Sequence, residues 1–256
     1  MYRLSLLISL LLCLLSCKTT QVVTTSADTV TDYYIADTEV TNLRAYPDNK
    51  EDKSITEMIA PYKVEMSKEM DITIGMLPQE IKKGKPNSSM GSWFCDILHA
   101  ASERVYDGKV DFALQNYGGL RVPSVSKGPL TKGKIFELMP FDNKLVILSL
   151  STDQLKELCD LIADSGGWPV SYGLSMKMDR KKATDIKING EAINKGQMYN
   201  VAITDYIANG GGGADFLKEI PQHDTGFFIR DVVIEQLEMM MDNGTPITVD
   251  KTKRIK

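Results

Sequence analysis

Three short segments of this sequence hold residue types suited to gripping a ligand. Asn116-Tyr117-Gly118-Gly119-Leu120-Arg121 sets an amide, a double-glycine turn and a guanidinium side by side. Glycines without a Cβ let the backbone approach a bound molecule, and a guanidinium can hold an anion through two parallel hydrogen bonds. Tyr206 stands just ahead of Asn209 and the run Gly210, Gly211, Gly212 and Gly213. Trp168 lies in Ser165-Gly166-Gly167-Trp168-Pro169, which has the composition of a turn and lacks the spacing of a core stripe. Plainer readings stand beside this one: Trp168 capping a core, Arg121 in a surface ion pair, the glycines as simple turns.

Other chemistries fare worse. Gly128-Pro-Leu-Thr-Lys-Gly-Lys134 has the glycine and lysine spacing of a phosphate-binding P-loop, but Ile135 stands where a Ser or Thr should ligate magnesium. Pro129 also removes a backbone donor, and Ser124 to Lys127 is not a hydrophobic strand. No Gly-x-Ser-x-Gly elbow or His-Glu-x-x-His helix is present. His99 and His223 are the only two histidines, too few to build a His-rich dinuclear metal centre.

The elements that must carry these segments follow from periodicity. Met58, Ile59, Tyr62, Met66 and Met70 recur at helical spacing among charged residues, predicting an amphipathic helix. Met90, Trp93, Phe94, Ile97 and Ala101 predict a second helix, capped by a Ser or Asn of Asn87-Ser88-Ser89. Val110, Phe112 and Leu114 alternate with other residues, predicting a half-buried strand that ends at Asn116. Leu145 to Leu148 is a continuous apolar run, suiting a strand buried on both faces. Ser151 and Gln154 have capping-box spacing ahead of a helix marked by Leu155, Leu158, Cys159 and Ile162. Tyr172, Leu174, Met176 and Met178 alternate, and Ile186 and Ile188 lead into the hairpin signal Asn189-Gly190. Tyr199, Val201 and Ile203 predict a strand before the glycine run, and Ile229 to Met241 outline a last helix. Interleaved strands and helices with a hairpin predict an α/β fold with mixed β-sheets and flanking helices, in one main domain.

Composition agrees. Of 256 residues 43% are hydrophobic and 25% charged, as in globular domains, and 30 Lys+Arg against 34 Asp+Glu give a net charge of −4. That balance argues against a nucleic-acid partner. The N-terminus reads as an address. Met1-Tyr2-Arg3 precedes the apolar run Leu4 to Leu15, too short to span a bilayer, and Leu14-Leu15-Ser16-Cys17 is similar to a bacterial lipobox. A signal peptide over residues 1–16 is expected, then lipidation at Cys17 with acyl chains as the only membrane attachment, in the cell envelope of a bacterium. Ordinary secretion is the alternative. Residues 17–51 read as a tether, 52–88 as a connecting helix and strand, and 89–256 as the folded domain. Cys95 and Cys159 fall on apolar helix positions and read as buried thiols, with a disulfide as the alternative.

The domain from about Ser89 onward resembles the C-terminal domain of the 5'-nucleotidase family. The resemblance rests on Asn116-Tyr-Gly-Gly-Leu-Arg121, Leu138-Met-Pro-Phe141-Asp-Asn143 and Asp205-Tyr-Ile-Ala-Asn-Gly-Gly211, in that order. It implies a layered α/β/β/α fold that binds a nucleotide, with Trp168 and Tyr206 sandwiching the base, Asn116 on the nucleoside and Arg121 on phosphate. Gly118, Gly119, Gly210 and Gly211 would form the backbone cradle, and Asp215 would be a displaced substitute for the family's ribose-binding acid, whose place Gly212 takes. Near Pro86, where the family has a phosphate-gripping arginine, this sequence offers Lys82, Lys83 and Lys85, which implies weaker phosphate affinity. The family's hydrolytic half is a metallophosphatase domain whose Asp-x-His and Gly-Asn-His motifs are absent here. The resemblance therefore implies no cofactor in this chain, with the divalent metals supplied by a separately encoded metallophosphatase. A nucleoside- or nucleotide-binding lipoprotein without an enzymatic role is the alternative, and a purely structural module a third.

Overall fold

The computed structural model describes residues 53–256, which form one unit. The expected signal segment, Cys17 and the tether lie outside the described residues. In chain order the elements are α1 (Lys53–Met70), β1 (Thr73–Leu77), β2 (Ile81–Lys82), α2 (Ser89–Val105), β3 (Phe112–Ala113), β4 (Ser124–Val125), β5 (Gly128–Thr131), α3 (Lys132–Leu138), β6 (Lys144–Ser151), α4 (Thr152–Asp164), β7 (Leu174–Asp179), β8 (Lys182–Ile188), β9 (Glu191–Ala192), β10 (Met198–Thr204), α5 (Asp205–Ala208), β11 (Gln222–Phe228) and α6 (Ile229–Asp242).

The central sheet has the order β11-β6-β10-β3, antiparallel except for the parallel pair β10–β3. β6 sits inside it, and its residues alternate between two cores. Leu145 and Ile147 join one with α2 and α6, while Val146, Leu148 and Leu150 join the other with α4 and the β7–β8 hairpin. This is why its sequence is apolar without interruption. β3 is similarly placed: Val110 to Gln115 are all buried, so the expected half-buried strand is buried on both sides. Both cores close over it, leaving no solvent face.

Local chemistry sets the helix ends. The Ser88 hydroxyl accepts from Gly91 N–H at the start of α2, and Ser151 with Gln154 forms the full capping box of α4. Asn189 (φ 52°) and Gly190 (φ 86°) make the expected tight turn between β8 and β9. β1 and β2, which the sequence suggested as part of a connecting segment, pair with β5 and β4 and so belong to the same body as the rest. Tyr172 precedes β7 instead of joining it, and its ring stacks on His99 at 4.7 Å. β11 had no sequence signal, because Gln222-His-Asp-Thr-Gly-Phe-Phe228 is an exposed edge strand. α1 is helical at the expected spacing, but none of its residues is buried.

Cys95 and Cys159 are free and buried. Burial pushes the Cys159 thiol up to about 12 and that of Cys95 upward as well. Since the thiolate is the reacting species, both should escape iodoacetamide at pH 8 in the folded protein and react once denatured, as read by peptide mass mapping.

Candidate functional site

The chain leaves β3 into a turn at Tyr117–Gly119 that is fixed from below by Gln115. Its fully buried side chain accepts from Asn116 N–H at 2.9 Å, and a Cβ on Gly119 would stand 2.5 Å from the Gln115 Cδ. Only glycine fits there. Across from this turn, Thr204 caps α5, and Asp205 Oδ1 accepts from the N–H groups of Tyr206 (2.8 Å) and Lys144 (3.1 Å). That carboxylate ties the start of β6 to the helix that carries Tyr206.

Between these parts lies a cleft of about 270 Å³ lined by Asn116, Gly118, Gly119, Arg121, Phe141, Asn143 and Tyr206. Tyr206 is 50% exposed, leaving its phenol ring available to a ligand. Arg121 is exposed, donates weakly to the Gly118 carbonyl at 3.4 Å, and has its guanidinium 5.5 Å from the centre of the Phe141 ring. Beyond the turn, the ammonium groups of Lys83 and Lys85 lie 4.1 and 4.6 Å from the centre of the Tyr117 ring. Lys83 donates to the Leu120 carbonyl at 2.6 Å and Lys85 to that of Ser165. Burial first, then the charges of Arg121 and Lys85, hold Lys83 below the ordinary lysine value. Among the described residues none of these three cations forms an ion pair with a carboxylate, and of the three only Arg121 lines the cleft.

Of the residues singled out in the sequence, Asn116, Gly118, Gly119, Arg121 and Tyr206 meet at this cleft. Trp168 does not line it: the indole is 4% exposed and packs in the core that contains α4. The expected sandwich of two open rings is replaced by a glycine filling. A Cβ on Gly211 would lie 2.4 Å from the Tyr206 ring, and one on Gly212 would lie 3.1 Å from the Trp168 ring, so consecutive glycines each abut one aromatic. Bulk sealed the indole in, since Leu114 bridges Val170 and Gln115 N–H donates to the Pro169 carbonyl, drawing its loop against β3. Gly210 and Asp215 also lie off the lining, and Asp215 is paired with Lys218 at 2.5 Å. Sequence reasoning missed Phe141 and Asn143 as site residues; their signal was the irregular Pro140-Phe-Asp-Asn143 between a helix and a strand. Among the described residues no group of three or more His, Cys, Asp or Glu is placed to hold a metal ion. His99 is bonded to the Val110 carbonyl and Ser171, and His223 packs on Tyr106.

The mixed sheet, the glycine turns and this cleft define a family. The sequence profile described as "5'-nucleotidase, C-terminal domain" matches residues 67–219, more than half of the chain, and the chain belongs to that family. The match starts ahead of Ser89, consistent with β1 and β2 pairing inside the domain. Among curated relatives, "Protein UshA" of Yersinia enterocolitica is 24% identical over 195 residues, covering 73% of this chain and 35% of that protein. A "5'-nucleotidase" of Vibrio vulnificus is 26% identical over 207 residues, covering 79% of this chain and 36% of that one. The chain thus spans about a third of the length of these relatives. The fold is that of a solved 5'-nucleotidase precursor from Thermus thermophilus, with a TM-score of 0.67 at 23% identity over 80% of this chain and 43% of that one. NAD nucleotidase of Haemophilus influenzae has the same fold, with a TM-score of 0.61 at 16% identity over 80% of this chain and 41% of that one.

Proposed function

We propose that this chain is the nucleotide-recognition component of a 5'-nucleotidase system, held on a membrane by lipid at Cys17, with hydrolysis carried by a separately encoded metallophosphatase. The observation that carries the reading is the meeting of Tyr206, Asn116 and Arg121 around one cleft. The base stacks on the exposed face of Tyr206, the Asn116 amide reads its polar edge or the ribose, and Arg121 with Lys83 and Lys85 receives phosphate. Stacking at about 1–3 kcal/mol per base and charge-assisted bonds at about 1.5–3 kcal/mol each support micromolar binding. In this reading the chain's own residues orient the nucleotide, and the metals and the hydrolytic step belong to the partner.

Calorimetric titration with AMP, followed in parallel by tryptophan emission, tests this. Trp168 lies under Gly212 and Trp93 is buried in α2, so a ligand that shifts the glycine loop should alter the emission of Trp168. Heat of binding and an emission change at micromolar AMP are expected. Silence in both at millimolar AMP would leave the domain as a structural module. The metallophosphatase is tested separately, by whether AMP turnover with manganese requires a second purified chain.

A further inference from the structure

Phe141 and Asn143, which line the cleft with Arg121, belong to a segment without regular structure between α3 and β6. It is held from behind by α6. Ile229 N–H donates to the Asn143 carbonyl at 2.9 Å, and the next residue, Arg230, donates to Asp142 Oδ1 at 2.7 Å and to the Phe141 carbonyl at 3.5 Å. The Arg230 guanidinium also lies over the Phe136 ring, 4.1 Å from its centre, and its side chain is only 12% exposed. As a stabilising device this is a poor one. Its Nε is buried without a hydrogen bond, with Asp231 3.8 Å away, and its carboxylate partner Asp142 is 73% exposed. A buried guanidinium so incompletely satisfied contributes little that an apolar side chain of similar length would not.

What Arg230 does supply is direction. Its planar fork reaches one carboxylate and one carbonyl of adjacent residues while its face rests on a ring, which fixes the wall in rotation as well as in position. The Phe141 ring on that wall is what the Arg121 guanidinium leans on, and Arg121 has only a weak bond to the Gly118 carbonyl besides. We propose that Arg230 is a positioning residue, never touching ligand, that sets the Phe141 ring and through it the Arg121 guanidinium, so that the preference of the cleft for a phosphorylated over an unphosphorylated nucleoside depends on it. The proposal rests on the nucleotide-binding reading above.

The test compares AMP with adenosine by calorimetry on the full chain. Arg230→Met should raise the Kd for AMP about five- to tenfold and leave that for adenosine within about twofold, a loss of the size seen for coupled neighbours. The same substitution made on top of Arg121→Met should have no further effect on AMP. Arg230→Lys keeps a cation for Asp142 and Phe136 but loses the fork, and should forfeit about half of the preference on a logarithmic scale. It also serves if the Met variant does not fold. An unchanged AMP-to-adenosine ratio in either variant, an equal loss for both ligands, or additive effects with Arg121→Met would overturn the proposal. Failure of the unsubstituted chain to bind AMP would instead defeat the nucleotide reading itself.

Discussion

Arg121→Met is expected to weaken AMP binding about ten- to a hundredfold while adenosine binding stays within about twofold, measured by calorimetric titration. The guanidinium is the one cation in the lining of the cleft, and among the described residues it forms no ion pair with a carboxylate that would compete for a phosphate. A charge-assisted, bidentate bond of this kind is worth about 1.5–3 kcal/mol, which sets the size of the loss. Lys83 and Lys85, over the neighbouring Tyr117 ring, keep positive charge nearby and explain why the loss is not larger. Arg121→Lys should recover only part of it, because an ammonium meets phosphate as a point charge. The difference between AMP and adenosine should also shrink with added salt, since Arg121 is exposed to solvent. An equal loss of both ligands would mean that Arg121 shapes the turn and does not read the phosphate.

The second large effect lies far from the cleft. Arg254, 3% exposed, donates to both oxygens of Asp96 (2.8 and 2.6 Å), to Asp250 (3.0 Å) and to the Val170 carbonyl (2.7 Å). Around it Asn87 bonds the backbone of Arg254 and Ile255, and Met176 pairs with Ile255, so this segment is sewn between α2 and β7. Arg254→Met should lower the unfolding free energy by about 3–5 kcal/mol in urea titrations at pH 7, the cost of leaving a desolvated carboxylate without its partner. Asp96 already sits above the usual carboxylate value, because burial outweighs the pull of Arg254; removing the guanidinium raises it further. A carboxyl group whose folded value exceeds its unfolded one contributes stability below the unfolded value and loses it as pH climbs through the folded one. The gap between variant and parent should therefore narrow toward acidic pH, and Asp96→Asn added to Arg254→Met should restore part of the loss. A gap independent of pH would assign the cost to packing alone.

How much of this could be read in advance varied by residue for physical reasons. β6, α4 and the Asn189-Gly190 turn were legible because burial on both faces, a reciprocal cap and a left-handed turn each leave a local signature. Tyr206 and Arg121 stood out because polar or aromatic groups next to glycine turns are hard to explain by packing, and both line the cleft. Trp168 was misplaced for the converse reason: a glycine-flanked indole looks like a loop residue, and only the pairing of its loop with β3 buries it. Arg230 could not be found locally, since it looks like any charged residue on an amphipathic helix. Its contacts reach across nearly ninety positions of chain, which no short window contains.

β6 hands alternate side chains to opposite cores. Within the described residues 53–256, therefore, loosening either core strips the ladder that the other leans on. The crevice, hung from β3, β6 and α5, is thus seated on the strand that both cores share, and so are the stretches of its wall without regular structure.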